Sequence, residues 1–301
     1  MALAPGDGLL LVAALLVSVA AVLVWFLGYP VIAEAVAPGL APQIRFERFI
    51  LVPVPVDRGT VIFMSGALVA ALVPLHFYLR KIVDLREALD RQVAEFLDAY
   101  VGLVASAGNS YDALRIAAEM SAPPLSVILE RAARLYKLTG SLPEAFNAAA
   151  RQLPRRARLF ARAAVLVART GGDPARVVGN VAAYARESRR LSLAVRSRLG
   201  EYKLVVALSS LTYAVAAGVV QGLVEAMSGL RLPSGPIVAV DPGVLLGLHY
   251  YSILIVAAAA AAVLSRVIEG TLLLAPKYLA ILLAVSTTVF LAASFLVNPA
   301  F

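Results

Sequence analysis

Five apolar runs punctuate the chain, and a long segment that is apolar on only one helical face separates the second from the third. The uniform runs are Leu9–Leu27, Thr60–Leu79, Leu204–Val224, Val244–Leu264 and Tyr278–Val297. A bilayer core of ~30 Å takes ~20 apolar residues in helix, so each run predicts a transmembrane helix. The first run is not read as a signal peptide. No Lys or Arg precedes it, and it is longer than a typical signal core. The amphipathic segment is Arg80–Lys203. Its first helix carries Val93, Phe96, Leu97, Tyr100 and Val104, a 3–4 spacing that turns one face to a core.

Inside that segment Gly108, Gly140 and Gly172 recur at intervals of 32 residues. Each follows one periodic stretch and precedes the next, where a helix C-terminus favours a left-handed glycine. Capping residues come next: Asn109 or Ser110, then Ser141, then Asp173. Ser141-Leu-Pro-Glu144 is a capping box with proline in the first turn, and Asp173-Pro174 repeats the cap. Ala113, Ala145 and Val177 take equivalent places, as do Leu114, Phe146 and Val178. The spacing predicts three helical hairpins. Their six helices lie near Ile82–Ala107, Tyr111–Met120, Pro123–Thr139, Leu142–Leu153, Arg155–Thr170 and Pro174 onward.

The expected architecture is therefore an all-α integral membrane protein. Residues 1–79 hold two spans and an external Pro-rich loop, 80–203 form a six-helix cytoplasmic domain, and 204–301 hold three spans. Composition agrees: 61% of residues are hydrophobic, 15% are charged, and mean hydropathy is +0.84. Charge sets the orientation. Arg80–Lys203 holds 21 of 27 Lys and Arg and 12 of 19 Asp and Glu, a net of +9 in a chain of +8. Basic residues beside spans stay on the cytoplasmic side. That leaves Gly28–Gly59 and Ser228–Gly243 outside as irregular, Pro-rich loops. The run Arg45–Val56 is rich in strand-forming residues and suits the membrane surface. Arg266–Lys277 is a short inner turn, the N-terminus is inside and Phe301 outside.

Little in the chain supports chemistry. There is no phosphate loop, nucleophile elbow or zinc-binding His-Glu-x-x-His run. Gly171-Gly172-Asp173 lacks the lysine and preceding strand of a nucleotide loop and reads as a helix break. Cysteine is absent, which removes disulfides, thiolate metal sites and thiol catalysis. The two histidines, His76 and His249, lie far apart in apolar stretches and read as helix-packing residues. No cofactor, metal or enzymatic activity is expected. A pI near 9.9 could signal nucleic acid, but no binding motif accompanies it, and anionic lipid accounts for it.

Three polar groupings remain. Arg151, Arg155, Arg156, Arg158 and Arg162 form one basic cluster, a helix away from the spans, and are the candidate docking site for an acidic partner. Arg186, Arg189, Arg190, Arg196 and Arg198 form a second, nearer the third span, where lipid headgroups compete with a partner. Arginine outnumbers lysine 23 to 4 and favours two-pronged carboxylate pairing. Gln221 and Glu225, four apart on one face near the outer end of the third span, are a candidate intramembrane polar contact. The sixth cytoplasmic helix is expected to continue into that span. There is no proline from Ala175 to Leu232, and Gly200 is the place for a bend, since an interior glycine costs only ~1 kcal/mol.

Ala-Ser-Ala-Gly108, Thr-Gly140-Ser-Leu-Pro-Glu-Ala-Phe146 and Ala-Arg-Thr-Gly-Gly-Asp173 stand in this order before a basic helix that enters a span. Over about Val93–Met227 this resembles the type II secretion system F family, the inner-membrane platform proteins of type IV filament machines. The resemblance implies a platform for a type IV pilus-like filament. Its partners would be a cytoplasmic hexameric secretion ATPase and pilin subunits. Many members carry two such domains and this chain has one. That implies a homo-oligomer or a second F-domain chain, as in tight-adherence and archaeal members. The family leaves open which filament is built. Two other functions fit a small polytopic chain: a transporter and a non-motor membrane scaffold. A solute pathway usually needs intramembrane charge, which these spans nearly lack.

Overall fold

A computed structural model describes residues 5–42, 46–49, 52–107, 110–154, 157–159, 174–228, 231–232, 235–236 and 241–298. The helices are α1 (Pro5–Val36), α2 (Arg58–Ala107), α3 (Ser110–Met120), α4 (Leu125–Thr139), α5 (Leu142–Gln152), α6 (Pro174–Gly200), α7 (Tyr202–Ser228), α8 (Pro242–Ile268) and α9 (Ala275–Val297). Two short antiparallel ribbons interrupt them. β1 (Phe46–Phe49) pairs with β2 (Val52–Pro55), and β3 (Arg231–Leu232) with β4 (Gly235–Pro236). Among the described residues the other regular elements are helical, including a short 3-10 turn at Pro38–Leu40, and five helices are long and apolar enough to cross a membrane. Two compact units result: Met1–Arg80 with Arg196–Phe301, here the span unit, and Lys81–Val195, here the hairpin unit.

Several boundaries differ from the sequence expectation. α1 does not stop at Leu27 but passes Pro30 and ends at Val36. Tyr29 and Ala33 are buried beside Phe63, and the Tyr29 hydroxyl donates to the Leu40 carbonyl at 2.9 Å. Those contacts hold the helix through a proline, which membrane helices tolerate well. The expected helix Ile82–Ala107 is not separate: α2 runs 50 residues from Arg58. No glycine or proline lies between Pro74 and Gly102 to stop it. The two Pro-rich segments contain ribbons rather than irregular loop alone. A two-stranded ribbon is all edge, so Pro53, Pro55 and Pro236 need cost no ladder bond. The expected run of α6 into α7 holds, with a one-residue turn at Glu201 beside Gly200, where the bend was expected.

The hairpin unit is built around the inner face of α2. Val93, Phe96, Leu97 and Tyr100 are buried, and Val104 lies where side chains are not described. α3 adds Ala113, Leu114, Ala117 and Ala118; α4 adds Leu125, Ile128, Leu129, Ala132 and Ala133; α5 adds Ala145, Phe146, Ala149 and Ala150. The equivalent pairs Ala113/Ala145 and Leu114/Phe146 are all buried. Phe96 stacks on Tyr100 at 5.6 Å, and Phe146 meets Tyr100 edge-on at 5.9 Å.

Caps follow the repeat where it is described. Gly140 closes α4 at φ 67°, and its N–H donates to the Tyr136 carbonyl at 2.8 Å. The Ser141 hydroxyl accepts from the Glu144 N–H at 3.4 Å. The return arm expected of Glu144 is taken by Thr139, whose hydroxyl accepts from the Ser141 N–H at 3.2 Å. Gly108, Asn109, Gly172 and Asp173 lie outside the described residues.

Polar side chains on α2 cap its neighbours. Gln92 Nε2 donates to the Pro123 carbonyl at 2.9 Å, and Gln92 Oε1 accepts from the Leu125 N–H at 3.2 Å. Asp90 accepts from the Ala157 N–H at 3.2 Å. Helix starts leave donors without intrahelical partners, and α2 supplies acceptors to two of them.

In the span unit α7, α8 and α9 pack on one another. α7 approaches α9 at Gly218 and Gly222. A Cβ on Gly218 would lie 2.4 Å from the Phe290 carbonyl oxygen, and one on Gly222 2.7 Å from that of Ser294. Hydroxyl pairs tie two helices to α9: Ser210 of α7 with Ser286 at 3.3 Å, and Ser65 of α2 with Thr287 at 3.2 Å. The Trp25 indole N–H donates to the Phe63 carbonyl at 2.9 Å and lies against Gly66.

Replacing Gly218 by Val should force α7 off the α9 backbone and cost about 1–3 kcal/mol. The thermal midpoint of the detergent-solubilised chain should fall. Gly102→Ala is the control, because nothing lies within 4 Å of its added Cβ, and it should be neutral or slightly stabilising. Equal midpoints for the two variants would contradict the close approach.

Gln92→Leu should strand the Leu125 N–H and the Pro123 carbonyl, at about 1–3 kcal/mol. Amide exchange in the first turn of α4 should then rise in the full chain. Unchanged exchange there would remove Gln92 from the capping role.

Candidate functional site

A polar cluster of the span unit lies where α7 ends and α2 and α8 begin. α2 starts at Arg58 because Asp57 caps it: Asp57 accepts from the Thr60 N–H at 2.7 Å and from its hydroxyl at 2.6 Å. α8 starts at Pro242 because Asp241 accepts from the Gly243 N–H at 2.7 Å, with proline at the first helical position. These caps bring the Arg58 guanidinium to Glu225 on the last turns of α7. The two form a charge-assisted hydrogen bond, with side chains 18% and 13% exposed.

Gln221, fully buried one turn earlier, ties this pair to α8. Its Nε2 donates to Glu225 at 2.8 Å and to the Pro242 carbonyl at 2.9 Å. Its Oε1 lies 3.3 Å from His249 Nδ1, and the His249 ring meets Phe290 edge-on at 5.9 Å. One network thus joins α2, α7 and α8. Gln221 and Glu225 are on one helical face, as their spacing predicts. The sequence reading missed Arg58 and the His249–Gln221 contact. Arg58 stands at the edge of an apolar run, a position that signals a span end but not a partner 167 residues away.

The arginine clusters divide differently. Arg151 is exposed on the last turn of α5. Arg158 turns back on the chain and donates to the Leu153 carbonyl at 3.0 Å and to that of Arg151 at 3.4 Å. It holds the end of α5. Arg155, Arg156 and Arg162 lie outside the described residues. On α6, Arg186 pairs with Asp98 of α2, an exposed contact worth about 0–1 kcal/mol. Arg189, Arg190 and Arg198 are exposed. Arg196 is half-buried, with its guanidinium against Gly270 in the turn between α8 and α9. That turn is tied by Arg266 donating to the Gly270 carbonyl at 3.0 Å and by the Tyr278 hydroxyl donating to Glu269 at 2.9 Å.

Among the described residues no group of three or more His, Asp or Glu converges as a metal site. What the network offers is directional holding of helix ends in a region of few polar groups. Residues 96–221 match the family model described as Type II secretion system (T2SS), protein F. No curated protein and no solved structure matches the chain.

Truncating either Arg58 or Glu225 to Ala leaves the other charge half-buried and unpaired. Each single change should lower the unfolding midpoint, and the double change should cost less than the sum. A coupling of about 0.5–3 kcal/mol is expected. Strict additivity across the cycle would show that the pair contributes nothing.

Proposed function

Residues 96–221 form a domain of the type II secretion system protein F family, and on that footing we propose that the chain is the membrane platform of a type IV pilus-like filament machine. The hairpin unit faces the cytoplasm and receives a hexameric secretion ATPase. The span unit meets pilin subunits in the bilayer and guides them toward the growing filament. The observation that carries this reading is the family match, which covers most of the hairpin unit and runs on to Gln221 in α7.

Charge supports the sidedness. The excess of Lys and Arg falls in Arg80–Lys203, and such excess is retained on the cytoplasmic side of a membrane. The chain brings no phosphate loop of its own, so ATP energy enters through the partner. With a single F domain, the platform is completed by a second copy or by a second F-domain chain.

The docking site proposed for the ATPase is the arginine group that begins on α5 and continues in the sequence after it. Arg151, Arg155, Arg156 and Arg162 meet acidic side chains of the motor, while Arg158 keeps α5 closed. Arg189, Arg190 and Arg198 on α6 meet lipid headgroups or the same partner. Rim charges of this kind act on association rate and salt dependence.

Reversing Arg151, Arg155 and Arg156 to Glu should reduce copurification of the ATPase with the solubilised full chain by about ten-fold or more at low salt. The variant should still insert in the membrane. Arg158→Glu should instead lower the stability of the chain. Undiminished copurification of the triple variant would remove this surface from the docking site.

A further inference from the structure

A cavity of about 520 Å³ opens beside the Arg58–Glu225 pair. All five apolar helices or their flanking turns reach it: Gly39 and Leu40 after α1, Asp57 and Arg58 at the start of α2, Glu225 near the end of α7, Leu246 on α8 and Phe295 on α9. Because the spans begin and end around it, the cavity lies where hydrocarbon gives way to lipid headgroups. Its volume is in the range of small-molecule sites.

The lining carries both signs of charge. Among the described lining residues two carboxylates, Asp57 and Glu225, accompany one guanidinium, a net of −1. The helix N-termini in the wall do not offset this, because Asp57 and Asp241 already cap them. The C-terminal ends of α1 and α7 add carbonyls and partial negative charge. Arg58 has five N–H donors, and among the described residues Glu225 is its one partner. Each Asp57 oxygen accepts a single bond, so lone pairs remain.

These features sort the possible ligands. A purely anionic headgroup is opposed by two carboxylates. A bare cation leaves the Arg58 donors unused. A zwitterion with adjacent phosphate and ammonium groups uses both, and the ammonium must carry N–H to reach carboxylate oxygens. Leu40, Leu246 and Phe295 supply apolar walls for a chain attached to it. The geometry points to a binding site for the headgroup of an aminophospholipid, a phosphate diester bearing a primary ammonium. Arg58 holds the phosphate, and Asp57 with Glu225 holds the ammonium. Bound there, the lipid bridges the α1 end to α7 and α8.

The test titrates the detergent-solubilised full chain with dioctanoyl phosphatidylethanolamine, phosphatidylcholine and phosphatidylglycerol, read by native mass spectrometry. Phosphatidylethanolamine should bind about ten-fold or more tighter than either of the others, the worth of one charge-assisted hydrogen bond. Glu225→Gln should abolish the preference over phosphatidylcholine. Gly39→Phe keeps the test open if the Glu225 variant misfolds, since nothing lies within 4 Å of its added Cβ. Gly39 lines the cavity, so the added ring should occupy space the lipid needs, leave every charge in place and remove all three lipids. Three results would overturn the site: equal affinities for the three lipids, phosphatidylglycerol as the tightest, or full phosphatidylethanolamine binding by a folded Gly39→Phe chain. A decylammonium ion binding as tightly as phosphatidylethanolamine would remove the phosphate from the proposal and overturn it equally.

Discussion

Contact between the backbones of α7 and α9 sets the geometry of the span unit. Lipid tails are as apolar as leucine, so helices in a bilayer gain from close packing and hydrogen bonding rather than from leaving solvent. α7 is written for that. Ser210, Ala214, Ala217, Gly218, Gln221 and Gly222 are its buried residues, all small or able to bond across a helix. Val215, Val219, Val220 and Leu223 are exposed and suit the lipid. The small residues permit the approach, and the approach brings Gln221 and Glu225 to Pro242, His249 and Arg58. If α7 stood further from α9, the polar network would lose its register with α8.

The hairpin unit is amphipathic rather than uniformly apolar, and its sequence uses other means. Its helices α3, α4 and α5 are 11, 15 and 11 residues long, too short to persist alone. Burial supplies what length does not. Alanines at Ala113, Ala117, Ala132, Ala145 and Ala149 let the helices close on α2, and Phe96, Tyr100 and Phe146 fill the centre. Gln92 and Asp90 then meet the open starts of two neighbours. α2 thus supplies both the apolar face and the caps, which is why its periodicity was so plain.

Fold and site were unequally readable. Five spans, the Gly140–Ser141 break and the buried equivalence of Ala113 with Ala145 follow from local rules of length, capping and period. Each needs only neighbours in the chain. What escaped depends on contacts made after folding. α1 continues through Pro30 because Tyr29 and Ala33 find Phe63, and no local rule announces Phe63. Gln221 and Glu225 were visible as a polar pair on an apolar helix, but Arg58 and His249 come from other helices. Thr139 displaces Glu144 from the capping box through a hydroxyl whose direction the sequence does not encode.

Arginine shows why charge alone is a poor map of function here. The segment Arg80–Lys203 has a net charge of +9, and the count invites a single basic docking face. The side chains do not behave as one population. Arg158 is spent on carbonyls at the end of α5, Arg186 on Asp98, and Arg196 against Gly270, while Arg58, outside the segment, is spent on Glu225. Among the described residues of the segment, Arg91, Arg131, Arg134, Arg151, Arg189, Arg190 and Arg198 are also exposed. Exposure by itself therefore does not separate the guanidinium groups that already hold a partner in the chain, such as Arg186, from those that could meet another molecule. The planar fork of arginine serves both uses, donating to backbone carbonyls at Arg158 and Arg266 and pairing with carboxylates at Arg58 and Arg186. The excess of arginine over lysine thus has a structural cause as well as an electrostatic one.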